Sequence, residues 1–433
     1  MSLRRGSVAR FGAVCACVLA AAGPLDGRAG DRGGERVASE AAPGEPVASA
    51  AARRGGFLPR QESAAALDPD LLPYPVEGDA ARLKSIERGL RWLASRQTAR
   101  DGSVEVGDAE PGQRAPLAVT SLAALAWMSG GSTPTRGEYQ QNVRRAIEYL
   151  LACTHRSADE YPGYIQDRGD PISRTHGHGL ATLALAQAYT VSPSTALGRR
   201  IGETLKLAVQ RIVVSQGSEG GWEYHPYRSI QHEGSVTVSL VQALRAANDV
   251  GVRVDPEVID RAVDYIRRIQ VMEVPESSAD GEAPSARAQL GGFRYGLDDP
   301  KTSIALTAAG LTTLQATGVY TGPRIDEGYD FIWRQLAIRA EDGTLATDGF
   351  PYYERFYLSQ ALWQHRDTSH YRRWAEPIMR ELVASQADSG SWDDVRYGPK
   401  GRKFINRYGA AYATSCNVLF LALPDDTLPL FHR

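Results

Sequence analysis

Cysteine is scarce in this chain, with only four among 433 residues. Cys15 and Cys17 lie in an N-terminal segment that we expect to be removed, so Cys153 and Cys416 remain. The repeat pattern described below assigns these two to units that are not neighbours, and a disulfide needs closely spaced Cα atoms. We therefore expect no disulfide, even in an oxidising compartment. Each thiol is expected to be a small buried apolar side chain.

Long apolar runs and an excess of one charge are also missing. No run of about 18 apolar residues occurs, which excludes an ordinary membrane-spanning helix. Lysine and arginine (49) nearly balance aspartate and glutamate (51), for a net charge of −2. No field that would gather nucleic acid or acidic substrates is therefore expected. The 42% hydrophobic content is compatible with a large soluble core, and nothing indicates an oligomeric state.

The N-terminus has the layout of a secretory signal peptide. Arg4, Arg5 and Arg10 precede an apolar segment, 11–22, that ends in three alanines. We predict a signal peptide at 1–22 and export to the periplasm or cell envelope. The alternative is a disordered tail of a cytosolic protein, and lipidation at Cys17 is disfavoured by its poor lead-in sequence.

A linker and a folded region follow. Residues 23–78 are rich in Ala, Pro, Gly, Glu and Arg and show no periodicity, which predicts a disordered tether. Residues 79–433 are predicted to form one compact domain.

A repeated pattern organises this domain. In its clearest copy a helix ends at Gln216, a glycine-containing loop follows, then Trp222, and then a second, more apolar helix. The pattern returns near the C-terminus with Gln386 and Trp392. Six first helices are predicted, at intervals of about 50 to 65 residues, which is typical of helical repeats. Each unit would bury its apolar face against its neighbours.

The positions that recur in the pattern have an expected structural role. A glutamine amide can reach carbonyls left open at a helix end, glycine permits the turn, and the aromatic ring packs over the junction. These repeat-motif residues are Gln97, Gln216, Trp222, Gln270, Phe293, Gln386 and Trp392.

First and second helices differ in polarity. The first helix at 257–270 has one apolar stripe and one charged face, whereas the second helix beginning at Val236 is apolar nearly all round. A helix that is apolar on all sides is enclosed on all sides. Six such helices inside six amphipathic ones predict an all-α fold, an (α/α)6 toroid with a double ring of inner and outer helices.

Specific motifs resemble a known superfamily. Segments 216–222 and 386–392 resemble the Q-x-x-x-G-x-W motif of squalene–hopene and related triterpene cyclases. The Gly-Gly-Phe loop ending at Phe293 resembles the protein prenyltransferase β subunits. The run 408–414, with the later Leu-Pro pairs, is similar to exported prenyltransferase/squalene-oxidase repeat proteins of planctomycete-type bacteria. The resemblance spans 79–433 and implies the terpenoid cyclase/protein prenyltransferase toroid, but no particular activity.

The catalytic motifs of these families are incomplete here. A triterpene cyclase protonates its substrate with the central acid of Asp-x-Asp-Asp-Thr, and the comparable stretch 297–302 has Pro300 in that place. The zinc site of a prenyltransferase needs Asp, Cys and His, but no Asp-x-Cys occurs and Cys416 has no histidine at ligand spacing. The Gly-Cys-Gly-Glu-Gln stretch of complement thioester domains is also missing. The resemblance therefore implies the fold without these activities.

The candidate catalytic group lies in two stretches at the start of the second and third inner helices, Thr175-His176-Gly177-His178 and Gln231-His232-Glu233. His178, His232 and Glu233 could point at one end of the central cavity and act as an acid/base set. The alternative is that the histidines cap helix ends. Zinc is the one cofactor considered, and it lacks support because no third ligand has a fitting spacing. The cofactor therefore stays unknown: zinc is possible but unsupported, and no metal ligands are assigned.

Aromatic side chains form a second candidate site. In a terpenoid cavity, aromatic rings face carbocations through their π systems, and ordinary packing is the alternative. The candidate ligand-binding residues are Tyr353, Tyr357, Trp363, Tyr408 and Tyr412.

We predict an exported toroid without cyclase activity that binds an isoprenoid, a lipid-like molecule or a peptide tail in its central cavity. The alternatives are an enzyme of cyclase or transferase type that uses the His/Glu group, and an envelope scaffold protein. A wide, aromatic-lined cavity without a convergent acid or metal would favour binding. Convergence of His178, His232 and Glu233 within ligand distance would favour the enzyme.

Overall fold

The computed structural model describes residues 79–273, 288–341, 350–397, 403–405 and 407–428. The predicted signal peptide and tether lie outside these residues. In the described ranges, twelve α-helices alternate between an outer and an inner position. None of these helices is long and apolar enough to cross a membrane.

Six amphipathic helices form the outer ring. They are α1 (Asp79–Ser95), α3 (Gln140–Ala152), α5 (Ala196–Ser215), α7 (Pro256–Ile269), α9 (Pro323–Glu341) and α11 (Thr368–Ser385). A side-chain cap begins three of them, α5, α7 and α11. Asp255 accepts a hydrogen bond from the backbone N–H of Glu257, and Pro256 occupies the first turn. Only one stripe of α7 is buried.

Six nearly uncharged helices form the inner ring. They are α2 (Pro116–Ser129), α4 (Arg174–Thr190), α6 (Gly234–Asp249), α8 (Ile304–Ala316), α10 (Pro351–Trp363) and α12 (Ala410–Ala422). All 13 residues of α12 are buried. Each inner helix contacts the next one, and α12 contacts α2, which closes the ring. The predicted (α/α)6 toroid is therefore confirmed.

Short hairpins and one turn complete the described architecture. Strands β1 (Phe293–Arg294) and β2 (Thr302–Ser303) are antiparallel, with Phe293 opposite Ser303. Strands β3 (Val395–Tyr397) and β4 (Lys403–Ile405) are also antiparallel. A 3₁₀ turn, Leu423–Asp425, follows α12.

The repeat glutamines join neighbouring units. Gln216 Nε2 donates to the carbonyls of Gly220 and Val258, each at 2.8 Å, so one amide holds its own loop and the first turn of the next outer helix. Gln97, Gln270 and Gln386 each donate to the corresponding pair of carbonyls. These amides therefore satisfy carbonyls that would otherwise be open at the unit junctions.

The loop glycine fits because the next outer helix lies directly against it. Gly220 has a φ of +91°, and a Cβ atom there would lie 2.2 Å from the carbonyl oxygen of Arg261. A side chain is therefore excluded by both strain and space. Trp222, which follows the loop, donates from Nε1 to the carbonyl of Ile212 at 2.8 Å and packs over the junction.

Candidate functional site

A narrow aromatic cavity lies on the axis of the inner ring. Its lining residues come from five of the six inner helices: Leu122, His176, Leu180, Ser239, Tyr352, Tyr353, Phe356, Tyr357, Tyr412 and Cys416. Most of them form pairs four residues apart, which places each pair on one helix face. The cavity volume is about 10 Å³, which is room for about one water molecule. No carboxylate of the described residues lines it.

The rings in the cavity pack against one another. Tyr353 and Tyr357 have ring centroids 4.7 Å apart, and Tyr352 meets Tyr412 edge to face at 5.5 Å. Tyr408 lies behind Tyr412, with centroids 5.4 Å apart. Burial raises the pKa of Tyr412 well above its ordinary value, so its hydroxyl stays neutral.

The structure separates the five candidate ligand-binding residues. Tyr353, Tyr357 and Tyr412 line the cavity. Tyr408 does not line it but packs against the ring of Tyr412. Trp363 lies at the far end of α10 and packs edge-on against an outer-helix ring.

Neither of the two cysteines that the structure describes, Cys153 and Cys416, is a reactive thiolate. Both are free, and burial raises the pKa of the Cys153 thiol to about 12. Burial also raises the pKa of Cys416, although Arg355 opposes the shift. Neutral thiols are weak nucleophiles, so Cys416 contributes a small apolar wall to the cavity.

His178 has a structural contact that explains its position. Its Nδ1 accepts a hydrogen bond from the backbone N–H of Ile165 at 3.1 Å. The imidazole is fully buried, and this burial lowers its pKa to about 3. His178 is therefore neutral at ordinary pH and directed toward its own loop, whose Tyr164 ring lies 5.2 Å away.

His232 makes its contacts with a different loop and an outer helix. Its Nε2 contacts the carbonyl of Ser229 at 3.0 Å, and its ring meets Tyr265 edge to face at 5.6 Å. His178, His232 and Glu233 thus make separate contacts and do not converge on one point. Among the described residues, no group of three His, Cys, Asp or Glu side chains could hold a metal ion.

Glu233 instead connects to the cavity through Ser235. The hydroxyl of Ser235 donates to Glu233 Oε2, which also accepts from the backbone N–H of Val236 at 3.0 Å. On its other side, Ser235 Oγ lies 3.2 Å from Nε2 of His176, and His176 lines the cavity. With the serine proton committed to the carboxylate, the shared proton is assigned to His176 Nε2.

The carboxyl group of Glu233 is held in an unusual state for a helix cap. Its Oε1 is buried and has no hydrogen-bond partner among the described residues. Desolvation raises the pKa of Glu233 to about 7, although the bonds from Ser235 and Val236 oppose the shift. Burial lowers the pKa of His176 to about 3. Near neutral pH, Ser235 therefore connects a half-ionised carboxyl, Glu233, to a neutral imidazole, His176.

Sequence reasoning included His176 in a candidate stretch but chose His178 from it, and it missed Ser235. A threonine on the inner helix accepts the loop N–H in four units: Thr120, Thr237, Thr307 and Thr414. His178 occupies that position in the second unit. The residue two positions earlier is His176 in this unit, which lines the cavity, and Ser235 in the next, which contacts His176. Aligning the units on the threonine would have identified both.

Comparison with known proteins supports the fold. The chain matches no protein-family model and no curated protein. It is similar in structure to cellobiose 2-epimerase from Bacillus thermoamylovorans B4167, with a TM-score of 0.52, 12% identity and coverage of 79% of this chain and 99% of the epimerase.

Two further solved structures are similar over a comparable length. D-mannose isomerase has a TM-score of 0.51 and 13% identity, with coverage of 81% of this chain and 99% of the isomerase. A type II terpene cyclase from Scytonema, in complex with geranylgeranyl dihydroxybenzoate, has a TM-score of 0.51 and 15% identity, with coverage of 82% and 100%. At these identities the likeness establishes the α/α toroid fold and leaves the activity to the site.

Proposed function

From the α/α toroid fold and its axial cavity, we propose that this protein binds the apolar part of an isoprenoid or lipid-like molecule. The observation that carries the proposal is the convergence of aromatic faces from α10 and α12 on the axis, where Leu122 and Leu180 also line the cavity. Cavities that bind small molecules are mostly apolar and aromatic, with few polar groups. The predicted signal peptide would place this binding in the cell envelope.

The small cavity volume defines how binding would proceed. About 10 Å³ admits no lipid chain, so Tyr353, Phe356 and Tyr357 must rotate to create space. Aromatic rings that pack mainly on one another lose little when an apolar chain replaces those contacts. The geranylgeranyl complex of the Scytonema terpene cyclase is an example of the same fold with an isoprenoid ligand.

Two substitutions with opposite effects test the proposal. Phe356→Ala removes a ring from the cavity wall and should strengthen binding of geranylgeraniol several-fold, because less rearrangement is needed. Ser239→Phe fills the remaining space and should weaken binding at least about tenfold. The measurement is a fluorescence titration of purified protein, supported by native mass spectrometry of the complex.

Tyr320→Ala is the matched control, because it removes an exposed aromatic ring (47% exposed) that does not line the cavity. Its binding should equal that of the wild type. If Phe356→Ala and Ser239→Phe change binding no more than this control does, the cavity is not the ligand site.

A second function, proton transfer by an enzyme, is favoured by the Glu233–Ser235–His176 chain. A carboxyl with a pKa of about 7 can give or take a proton near neutral pH. Ser235 connects it to a histidine on the cavity wall through contacts that are already formed. The group that would meet a substrate is His176, with Ser235 and Glu233 as positioning residues.

Deuterium exchange tests this second function. Wild-type protein incubated with geranylgeraniol in deuterated buffer should introduce deuterium into carbon positions of the recovered lipid. Glu233→Gln and Ser235→Ala should each lower the rate about 100-fold, the typical size of general acid–base effects, whereas His232→Gln should leave it unchanged. Equal lipid binding without any exchange would support the binding function alone.

A further inference from the structure

A second cleft lies on the outer surface, apart from the axial cavity. It is bounded by the loop 218–220, by one face of α7 and by the start of α9, and its volume is about 470 Å³. This lies within the size range of small-molecule sites. The cleft and the axial cavity share no lining residue.

The cleft concentrates positive charge. Arg261, Arg267, Arg268 and Arg324 line it together with only two carboxylates, Glu219 and Asp264, which leaves two positive charges in excess. The whole chain has a net charge of −2. The local excess is therefore opposite in sign to the charge of the protein.

The two carboxylates do not compensate the arginines equally. Glu219 lies 2.5 Å from Arg268, with both side chains nearly half exposed. Asp264 is 70% exposed and lies 3.6 Å from Arg267, a contact that water and salt weaken. Arg267 therefore keeps donors available to a ligand in the cleft.

The other two arginines are fixed by neutral acceptors. Arg261 Nε donates to Gln216 Oε1 at 3.0 Å, and its nearest carboxylate, Glu257, is 74% exposed and 3.6 Å away. Arg324 Nη1 donates to the carbonyl of Arg267 at 3.0 Å and to Gln270 Oε1 at 3.3 Å. These bonds hold the guanidinium groups in place without neutralising them, which lowers the entropy cost of binding.

We propose that this cleft binds a phosphate group, either on a small phosphate ester or on a lipid headgroup. Guanidinium groups present paired N–H donors that match the oxygens of an oxyanion. A phosphate monoester carries about two negative charges at pH 7, which equals the excess in the cleft, whereas a carboxylate carries one. The start of α9 adds the positive end of a helix dipole on the same side.

Two binding assays distinguish the sources of the phosphate. The first titrates inorganic phosphate into the protein at low salt by calorimetry, with sodium chloride as competitor. The second measures cosedimentation with phosphatidylcholine vesicles that do or do not contain phosphatidic acid. Binding in both assays indicates a phosphate ester of either kind, and binding only to the phosphatidic acid vesicles indicates the lipid headgroup.

Arg267→Gln is the principal variant, because its one charged contact is the weak one with Asp264, so loss of folding is not expected. In whichever of the two assays the wild type binds, Arg267→Gln should weaken that binding at least about tenfold. Arg267→Lys should recover part of the loss. Arg253→Gln, at an exposed position outside the cleft, is the matched control and should bind as the wild type does. Binding in neither assay, or equal binding by Arg267→Gln and Arg253→Gln, would overturn the proposal.

Discussion

His178 shows how one side chain can replace another within a repeat. Four inner helices use a threonine hydroxyl to accept the loop N–H, and the second unit uses an imidazole nitrogen. The sequence pattern Thr-His-Gly-His is compatible with a catalytic or metal site, but the tertiary contacts of His178 assign it to the junction. His176, two residues earlier, is the histidine that faces the axis.

This replacement predicts how substitutions of His178 change the free energy of unfolding. His178→Thr should be more stable than His178→Ala by about 1 kcal/mol, because threonine can accept the N–H of Ile165 and alanine leaves that buried donor unpaired. Urea unfolding of both variants gives the difference. Equal stability of the two variants would contradict the assigned role.

The same pair of variants tests a pH effect. Because burial lowers the folded-state pKa of His178 to about 3, the unfolded chain takes up a proton below its ordinary pKa of 6.5 and the folded protein does not. The contribution is therefore fully present above pH 6.5 and is lost as the pH falls toward 3. Either variant should lose less stability than the wild type between pH 7 and pH 4, relative to its own value at pH 7.

At the scale of helices, polarity determines position in the ring. Inner helices are buried all round, whereas outer helices keep a solvated face. This contrast is local information, because it depends only on which residues recur along each helix. It explains why the division into inner and outer helices could be predicted from the sequence.

A matched pair of charge insertions tests this division. Ala184→Glu, at a fully buried position of α4, should cost about 4 kcal/mol or more, since it buries a carboxylate without a partner. Ala80→Glu, at an exposed position in the first turn of α1, should change stability by less than about 0.5 kcal/mol. Urea midpoints and the yield of soluble protein measure both. Similar losses for the two variants would contradict the enclosed position of α4.

At the scale of the whole molecule, the closure of the ring depends on contacts between its first and last helices. Arg82 of α1 donates to the carbonyl of Leu421 at 2.6 Å and forms two hydrogen bonds with Asp425. Arg82 is only 5% exposed. Gln386 adds a bond to the carbonyl of Ser85 at 2.9 Å, which repeats the junction that Gln97, Gln216 and Gln270 form with their next units.

Arg82→Ala should therefore destabilise the closed ring by about 3 kcal/mol, because Asp425 and the Leu421 carbonyl lose their partner. Hydrogen exchange should rise first in α1, α2 and α12, which meet at the closure. Arg91→Ala, which breaks an exposed pair with Glu87, is the control and should cost less than about 0.5 kcal/mol. An even rise in exchange around the ring would contradict the closure role.

The sequence by itself determined the helices, their alternation and the glutamine and tryptophan positions of the repeat. These features follow from periodicity and from capping, which act over a few residues. Their combination with a fixed repeat length leaves few arrangements that bury all inner helices, so the toroid could be predicted.

Only the tertiary structure decided which side chains meet. His176 and His178 lie two residues apart, so they point roughly 200° apart around the helix, and the rotation of α4 in the ring selects which one faces the axis. The narrow cavity depends on how six helices pack at the centre, and the arginine cleft joins loop 218–220 to α7 and α9. Such contacts depend on the distances between segments that are far apart in the sequence. No local sequence pattern encodes these distances.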